Sequence, residues 1–191
     1  MRPAPRTAAL LLAVAALVAA RDARAGEFQL DGSGLATAST WRGDFGGGGQ
    51  LRLGYRFAHV FAIDLVGWEQ LMSVDTRLDT GLTLGVSGYL PLGIVHPSAR
   101  LFFIHQHEEG LVSVEDEPFG TAIGVGAGIR HRAGLGGVLG AEIELHRTQR
   151  TQYVLVTGAS VTWFPDASLG PDAYFGLQVG LGFNYSLPGL P

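Results

Sequence analysis

The run His105-Gln106-His107-Glu108-Glu109 gathers metal-capable and titratable side chains more densely than any other stretch of the chain. On an extended strand, residues i and i+2 point to the same side, so His105 and His107 could share a metal ion. No third ligand stands at a fixed spacing from them. Two histidines at a membrane–water rim, above Leu101 and Phe103 on the same face, fit the pattern better, and neither a metal nor a cofactor is expected. Glu142 and Glu144 also share a face, and paired carboxylates can act as general acid and base where a substrate pocket exists. The acidic run Val114-Glu115-Asp116-Glu117 reads as a solvated loop. A third group is spread along the chain: Arg52, Arg56, Arg77, Arg100 and Arg130 recur with Asp64, Asp79, Glu142 and Glu144 on the polar faces of alternating segments.

The elements that carry these residues follow from composition and periodicity. Arg2 and Arg6 precede an apolar run from Ala8 to Ala20, and Ala23-Arg24-Ala25 offers the small residues of a cleavage site. Residues 1–25 therefore read as a secretory signal peptide, too short and wrongly flanked for a membrane helix. Residues 26–191 then form a single domain. That part holds nine Arg against sixteen Asp and Glu, and this acidic balance argues against a nucleic-acid partner. The chain has no Cys, so no disulfide staples the exported fold. It has no Lys either, which removes a phosphate-loop lysine and any Schiff-base chemistry.

Glycine accounts for 29 of the 191 residues, with no collagen period and no linker tract. Such content disfavours helices and suits closed, tightly curved sheets. No segment of the mature part offers the roughly 18 consecutive apolar residues of a helical membrane span. Alternation at period two recurs instead. Leu51, Leu53, Tyr55 and Phe57 oppose Arg52 and Arg56; Leu82, Leu84 and Val86 oppose Asp79, Thr83 and Ser87. Leu139, Ile143 and Leu145 oppose Glu142, Glu144 and His146; Phe175, Leu177, Val179, Leu181, Phe183 and Tyr185 oppose Gln178 and Asn184. The segments 60–70, 119–131 and 153–163 fit less sharply, and 27–38 and 98–107 are the weakest. Gly43–Gly49, Pro91–Ser98, Arg132–Gly137 and Pro165–Asp172 read as turns. The nine candidates exceed the even number usual for single-chain barrels, and eight strands, with ten as the alternative, are expected.

A β-sandwich and a soluble lipocalin-like barrel also alternate, but both turn their apolar side chains inward. Here the apolar face is almost free of charge, while the polar face mixes Gly, Ser and Thr with Arg and carboxylates of balanced sign. That is the inside-out pattern of a barrel in lipid. Tyr153 and Trp163 share a face ten residues apart. At about 3.3 Å per residue and a tilt near 40°, their separation is roughly 25 Å in height, the spacing of two aromatic girdles.

At the last strand, Gln178-Val179-Gly180-Leu181-Gly182-Phe183-Asn184-Tyr185 resembles the C-terminal β-signal of bacterial outer-membrane proteins. The hairpin Leu51–Phe57 followed by Val60–Leu65 is similar to the small eight-stranded barrels related to the OmpA transmembrane domain. The resemblance implies an all-β, antiparallel up-and-down barrel in the bacterial outer membrane, in contact with its lipid. It also implies delivery by the barrel-assembly machinery, which reads the last strand, and a monomer. The lipid A deacylases are barrels of this size with a His-x-Ser-Asn motif. His96-Pro97-Ser98 has the spacing, but Ala99 stands in place of the Asn and the triplet falls in a turn. Neither a Gly-x-Ser-x-Gly elbow nor a Gly-rich phosphate loop is present. In so narrow a barrel the opposed Arg and carboxylates should pair across the lumen and fill it. The expected role is structural, anchoring or narrow-pore and not catalytic; the alternatives are an envelope-lipid enzyme and a soluble binding barrel.

Overall fold

The computed structural model describes residues 26–57, 59–110 and 129–187. Eight strands follow one another around a closed antiparallel barrel: β1 (Glu27–Ser39), β2 (Phe45–Phe57), β3 (Phe61–Met72), β4 (Arg77–Tyr89), β5 (Val95–Gly110), β6 (Arg130–Arg147), β7 (Thr151–Trp163) and β8 (Ala173–Ser186). β1 pairs with β2 on one side and with β8 on the other, so the sheet closes on itself and each strand is paired on both sides. Among the described residues no helix is long and apolar enough to cross a membrane.

The faces run as the alternation requires. Leu53 and Leu84 point outward and are 45% and 58% exposed, whereas Arg56 and Asp79 point inward and are 2% and 0% exposed. Tyr153 and Trp163 both stand on the outer surface of β7. This is the reverse of a soluble barrel, whose outer wall carries the charges.

Three of the sequence expectations need correction. The weak segments 27–38 and 98–107 are both strands, and the end of the candidate 119–131 joins the candidate 137–146 in one strand, β6. Residues 119–128 of that candidate lie outside the described residues, and Arg130 and His131 open β6. The stretch Arg132–Gly137, read as a turn, is continuous β6. Its glycines make room instead of bending the chain: a Cβ on Gly136 would collide with the Phe102 ring. Likewise β2 already begins at Phe45, so Gly46–Gly49 are strand and not turn. Residues 1–25 and the acidic run 114–117 lie outside the described residues.

The lumen is also less uniformly polar than the alternation implies. Met72, Phe102, Ile104, Phe164 and Tyr174 form a small buried apolar cluster, with Trp68 and Val138 against it. An interior of this width is filled by side chains, and its upper half is filled partly by apolar ones. The barrel ends differ. At the base, where β1 starts and β8 finishes, the links 58–60, 90–94 and 148–150 are short. At the top, two links are short (40–44 and 73–76), and two are longer (111–129 and 164–172).

Candidate functional site

The inward polar residues form two layers. In the lower layer Glu142 of β6 is the hub. Arg52 Nη2 reaches its Oε1 at 2.7 Å, and Arg56 Nη2 reaches its Oε2 at 2.5 Å. Gln29 and Asn184 each donate an amide N–H to it at 3.2 Å. β2 and β6 are four strands apart in a ring of eight, so both arginines span the full width of the lumen. Arg52 also pairs with Asp31 and donates to the Tyr89 hydroxyl at 2.8 Å. Arg56 lies 3.6 Å above the Tyr89 ring, a cation–π contact, with Glu27 3.5 Å away. Beside them Arg100 donates to Asp64 at 2.5 Å and to Thr83 at 2.7 Å, while Ser87 donates to the other Asp64 oxygen. Gly85 gives Arg100 its place, because a Cβ there would come within 2.8 Å of the guanidinium.

The upper layer centres on Arg77 and Glu108. Arg77 is fixed by Asp44 at 2.6 Å and lies 3.4 Å from Asp79 and 3.9 Å from Glu108. Glu108 accepts from Arg132 at 2.7 Å, from Gln106 at 2.9 Å and from the Tyr174 hydroxyl at 2.8 Å. Asp44 sits in the β1–β2 turn. Burial pushes its pKa up, but hydrogen bonds from Arg77, Ser39 and the Val74 backbone N–H outweigh that and hold the carboxyl below its ordinary 3.8. Between the layers lies a cavity of about 100 Å³ whose wall includes Val66, Trp68, Gln50, Gln178 and Val156.

Of the nine residues singled out from the sequence, Arg52, Arg56, Asp64, Arg77, Asp79, Arg100 and Glu142 are buried or nearly buried in these layers. Two differ. Glu144 stands at the base and pairs with Arg147 at 2.6 Å, whose side chain is 58% exposed; it does not share a site with Glu142. Arg130 lies at the top, partly exposed, 3.4 Å from Glu108 and donating to the Leu169 carbonyl at 3.0 Å. Both sit where the strands leave the barrel, so alternation alone placed them too deep. Asp31, Asp44, Glu108 and Arg132 belong to the network and carried no network signal in the sequence. Arg132 was hidden in the Gly-rich stretch read as a turn, and Glu108 in the histidine run.

The histidines stand on the opposite side of the wall. His105 and His107 point outward on β5, above Leu101 and Phe103. Register places His131 of β6 directly opposite His107. Ring centroids are 4.7 Å apart for His105 and His107, 4.6 Å for His107 and His131, and 5.6 Å for His105 and His131. One ring nitrogen from each lies within 4.8 Å of the others. The sequence supplied the first pair; the third member needed the strand register. His96 and Ser98 lie at the base, where the His96 ring nitrogen sits 3.0 Å from the Gly93 carbonyl.

A closed eight-stranded barrel with an apolar wall, aromatic residues towards both ends and a charge-paired lumen is a barrel of the small outer-membrane type. No protein-family model and no curated protein matches the sequence. Among solved structures, Neisserial surface protein A (NspA) superposes with a TM-score of 0.55 at 15% identity, covering 85% of this chain and 99% of NspA. Ail, the attachment invasion locus protein of Yersinia pestis, superposes at 0.50 and 11% identity, covering 85% of this chain and 98% of its own. At such identities the likeness is one of fold, and the chain has the fold of these bacterial outer-membrane barrels.

Proposed function

We propose that the chain is a small integral protein of the bacterial outer membrane with a sealed lumen, a structural or anchoring role and no catalysis. The observation that carries this reading is the pair of arginines, Arg52 and Arg56, that cross the lumen to Glu142. A buried charge without a partner costs several kcal/mol, so this arrangement opposes the opening of a water-filled path. The cavity above it, about 100 Å³, accommodates a few waters and falls well short of the roughly 300 Å³ of small-molecule sites. The two carboxylates that could have served as general acid and base are both engaged: four donors occupy Glu142, and Glu144 is held by Arg147 and Gln152.

The short links at the base and longer ones at the top match periplasmic turns and extracellular loops, so the base faces the periplasm. Outer-membrane lipid covers the apolar wall. The last strand, Gln178 to Tyr185, serves as the signal to the assembly machinery, and the closed β1–β8 seam suits a monomer. The test is conductance of the refolded protein in planar bilayers. The expected result is a current close to that of the bare membrane. Large, steady single-channel currents would replace the sealed barrel with a pore.

A further inference from the structure

We propose that His105, His107 and His131 form a binding site for one late first-row divalent transition-metal ion, zinc above all, on the outer wall of the barrel near its top. Three of the six histidines in the chain meet there, from two strands. Imidazole nitrogens bind zinc at about 2.0–2.1 Å, and in a tetrahedron three such nitrogens lie about 3.4 Å apart. The present nitrogens lie within 4.8 Å of one another, so side-chain torsions on an exposed face are enough to close the site. The backbone is already in place: His105 and His107 share a face at i and i+2, and His107 and His131 are cross-strand partners in a hairpin stitched from Val95–Ile143 to Glu108–Arg130.

The position gives access from water. Arg130–Gly134 of β6 pair with β5 alone, because the β7 ladder begins only at Leu135–Trp163. His131 lies four residues beyond Leu135, about 13 Å along the strand and roughly 10 Å in height above the Trp163 level. That places it outside the hydrocarbon layer. Three neutral imidazoles select borderline ions such as zinc, nickel and copper over calcium and magnesium, which demand oxygen ligands. Three protein ligands leave a fourth position facing outward for water. Thr80, the β4 partner of His107, carries a buried hydroxyl without a hydrogen-bond partner among the described residues.

Calorimetric titration of zinc chloride into the full-length barrel, refolded in detergent micelles without an affinity tag, tests the assignment. One equivalent should bind, and magnesium chloride should give no heat of binding. His105→Ala, His107→Ala and His131→Ala should each weaken zinc by at least about tenfold, since a direct ligand is worth no less than an outer-shell partner. His146→Ala, at the base, should leave it unchanged. Heat-modifiable gel mobility checks that each variant is folded, and H131Q replaces the alanine change if that one fails to fold. Zinc binding that is absent, that survives all three changes, or that falls equally with His146→Ala would overturn the site.

Discussion

Removing the Glu142 carboxylate should reveal how much of the barrel rests on the charges it holds inside. In Glu142→Ala two guanidinium groups lose a shared countercharge at once, at 2.7 and 2.5 Å, and Gln29 and Asn184 lose an acceptor. Breaking a buried ion pair from one side costs about 3–5 kcal/mol. Some of this is recovered here, because Arg52 keeps Asp31 and the Tyr89 hydroxyl, and Arg56 keeps the Tyr89 ring and Glu27. Water can also enter from the adjoining cavity. A loss of about 3 kcal/mol is expected, a large share of the roughly 5–15 kcal/mol of a typical domain. Glu142→Gln keeps the shape and an acceptor and should cost less, about 1.5–3 kcal/mol for hydrogen bonds to charged groups. The control is Glu144→Ala, whose partner Arg147 is mostly in water, at about 0–1 kcal/mol. The assay is urea unfolding of the barrel in lipid vesicles, followed by fluorescence of its three tryptophans. Equal losses for Glu142→Ala and Glu144→Ala would refute the idea that the cross-lumen pairs hold the barrel together.

Val179 faces outward at the middle of β8, so Val179→Arg should cost about 2–4 kcal/mol in the same vesicles. Its neighbour Gln178 lines the cavity, and Gln178→Arg should cost much less. Asp44 has a folded pKa held below 3.8, so its contribution is present above that value and fades as the pH falls through the lower, folded one. Asp44→Asn should therefore lower stability at neutral pH and flatten the acid limb of the stability curve below about pH 4, as read by unfolding titrations at stepped pH. The double change Glu142→Ala with Glu144→Ala frees arginines in the lower layer and should raise bilayer conductance with a preference for anions, measured as a shift in reversal potential under a salt gradient.

The fold was legible where side chains mark both faces of a strand. Leu51 to Phe57 and Phe175 to Tyr185 read clearly because lipid demands an unbroken apolar row and the lumen admits polar groups beside it. It was illegible where glycine replaced the inner side chain. Gly46–Gly49 and Gly134–Gly137 read as turns because a residue without a Cβ has no face to declare, although a Cβ on Gly46, Gly48, Gly134 or Gly136 would collide with its neighbours. The charge network shows the same boundary. Arginines and carboxylates on polar faces announced a filled lumen, but partners such as Arg56 and Glu142 sit 86 residues apart on opposite walls, and strand order and register decide their meeting. Asp44 was missed because a turn residue reaching over the barrel mouth obeys no period.

Register also joins the two chemistries of the β5–β6 hairpin. Gln106, His107 and Glu108 stand opposite Arg132, His131 and Arg130, so the polar residues that point inward alternate with the histidines that point outward. A slip of one residue would turn His131 into the lumen and Arg132 into the lipid wall. A slip of two that set His131 opposite Glu109 would keep the faces but leave it four residues, about 13 Å, out of step with His105, too far for the three to share an ion. What resists both is inside: Arg132 is held by Glu108 at 2.7 Å and by the carbonyls of Pro171 at 2.5 Å and Asp166 at 3.3 Å. The lumen network thus fixes the geometry of a site on the opposite face of the sheet. Glu108→Ala should accordingly weaken zinc at the three histidines, although Glu108 points inward and cannot ligate it. Asp64→Ala, in the lower layer, should leave zinc affinity unchanged while also loosening the barrel. If Glu108→Ala binds zinc as tightly as the unmodified protein in calorimetry, the hairpin keeps its register without the inner ion pairs. The backbone ladder between β5 and β6 would then be enough to align His107 with His131.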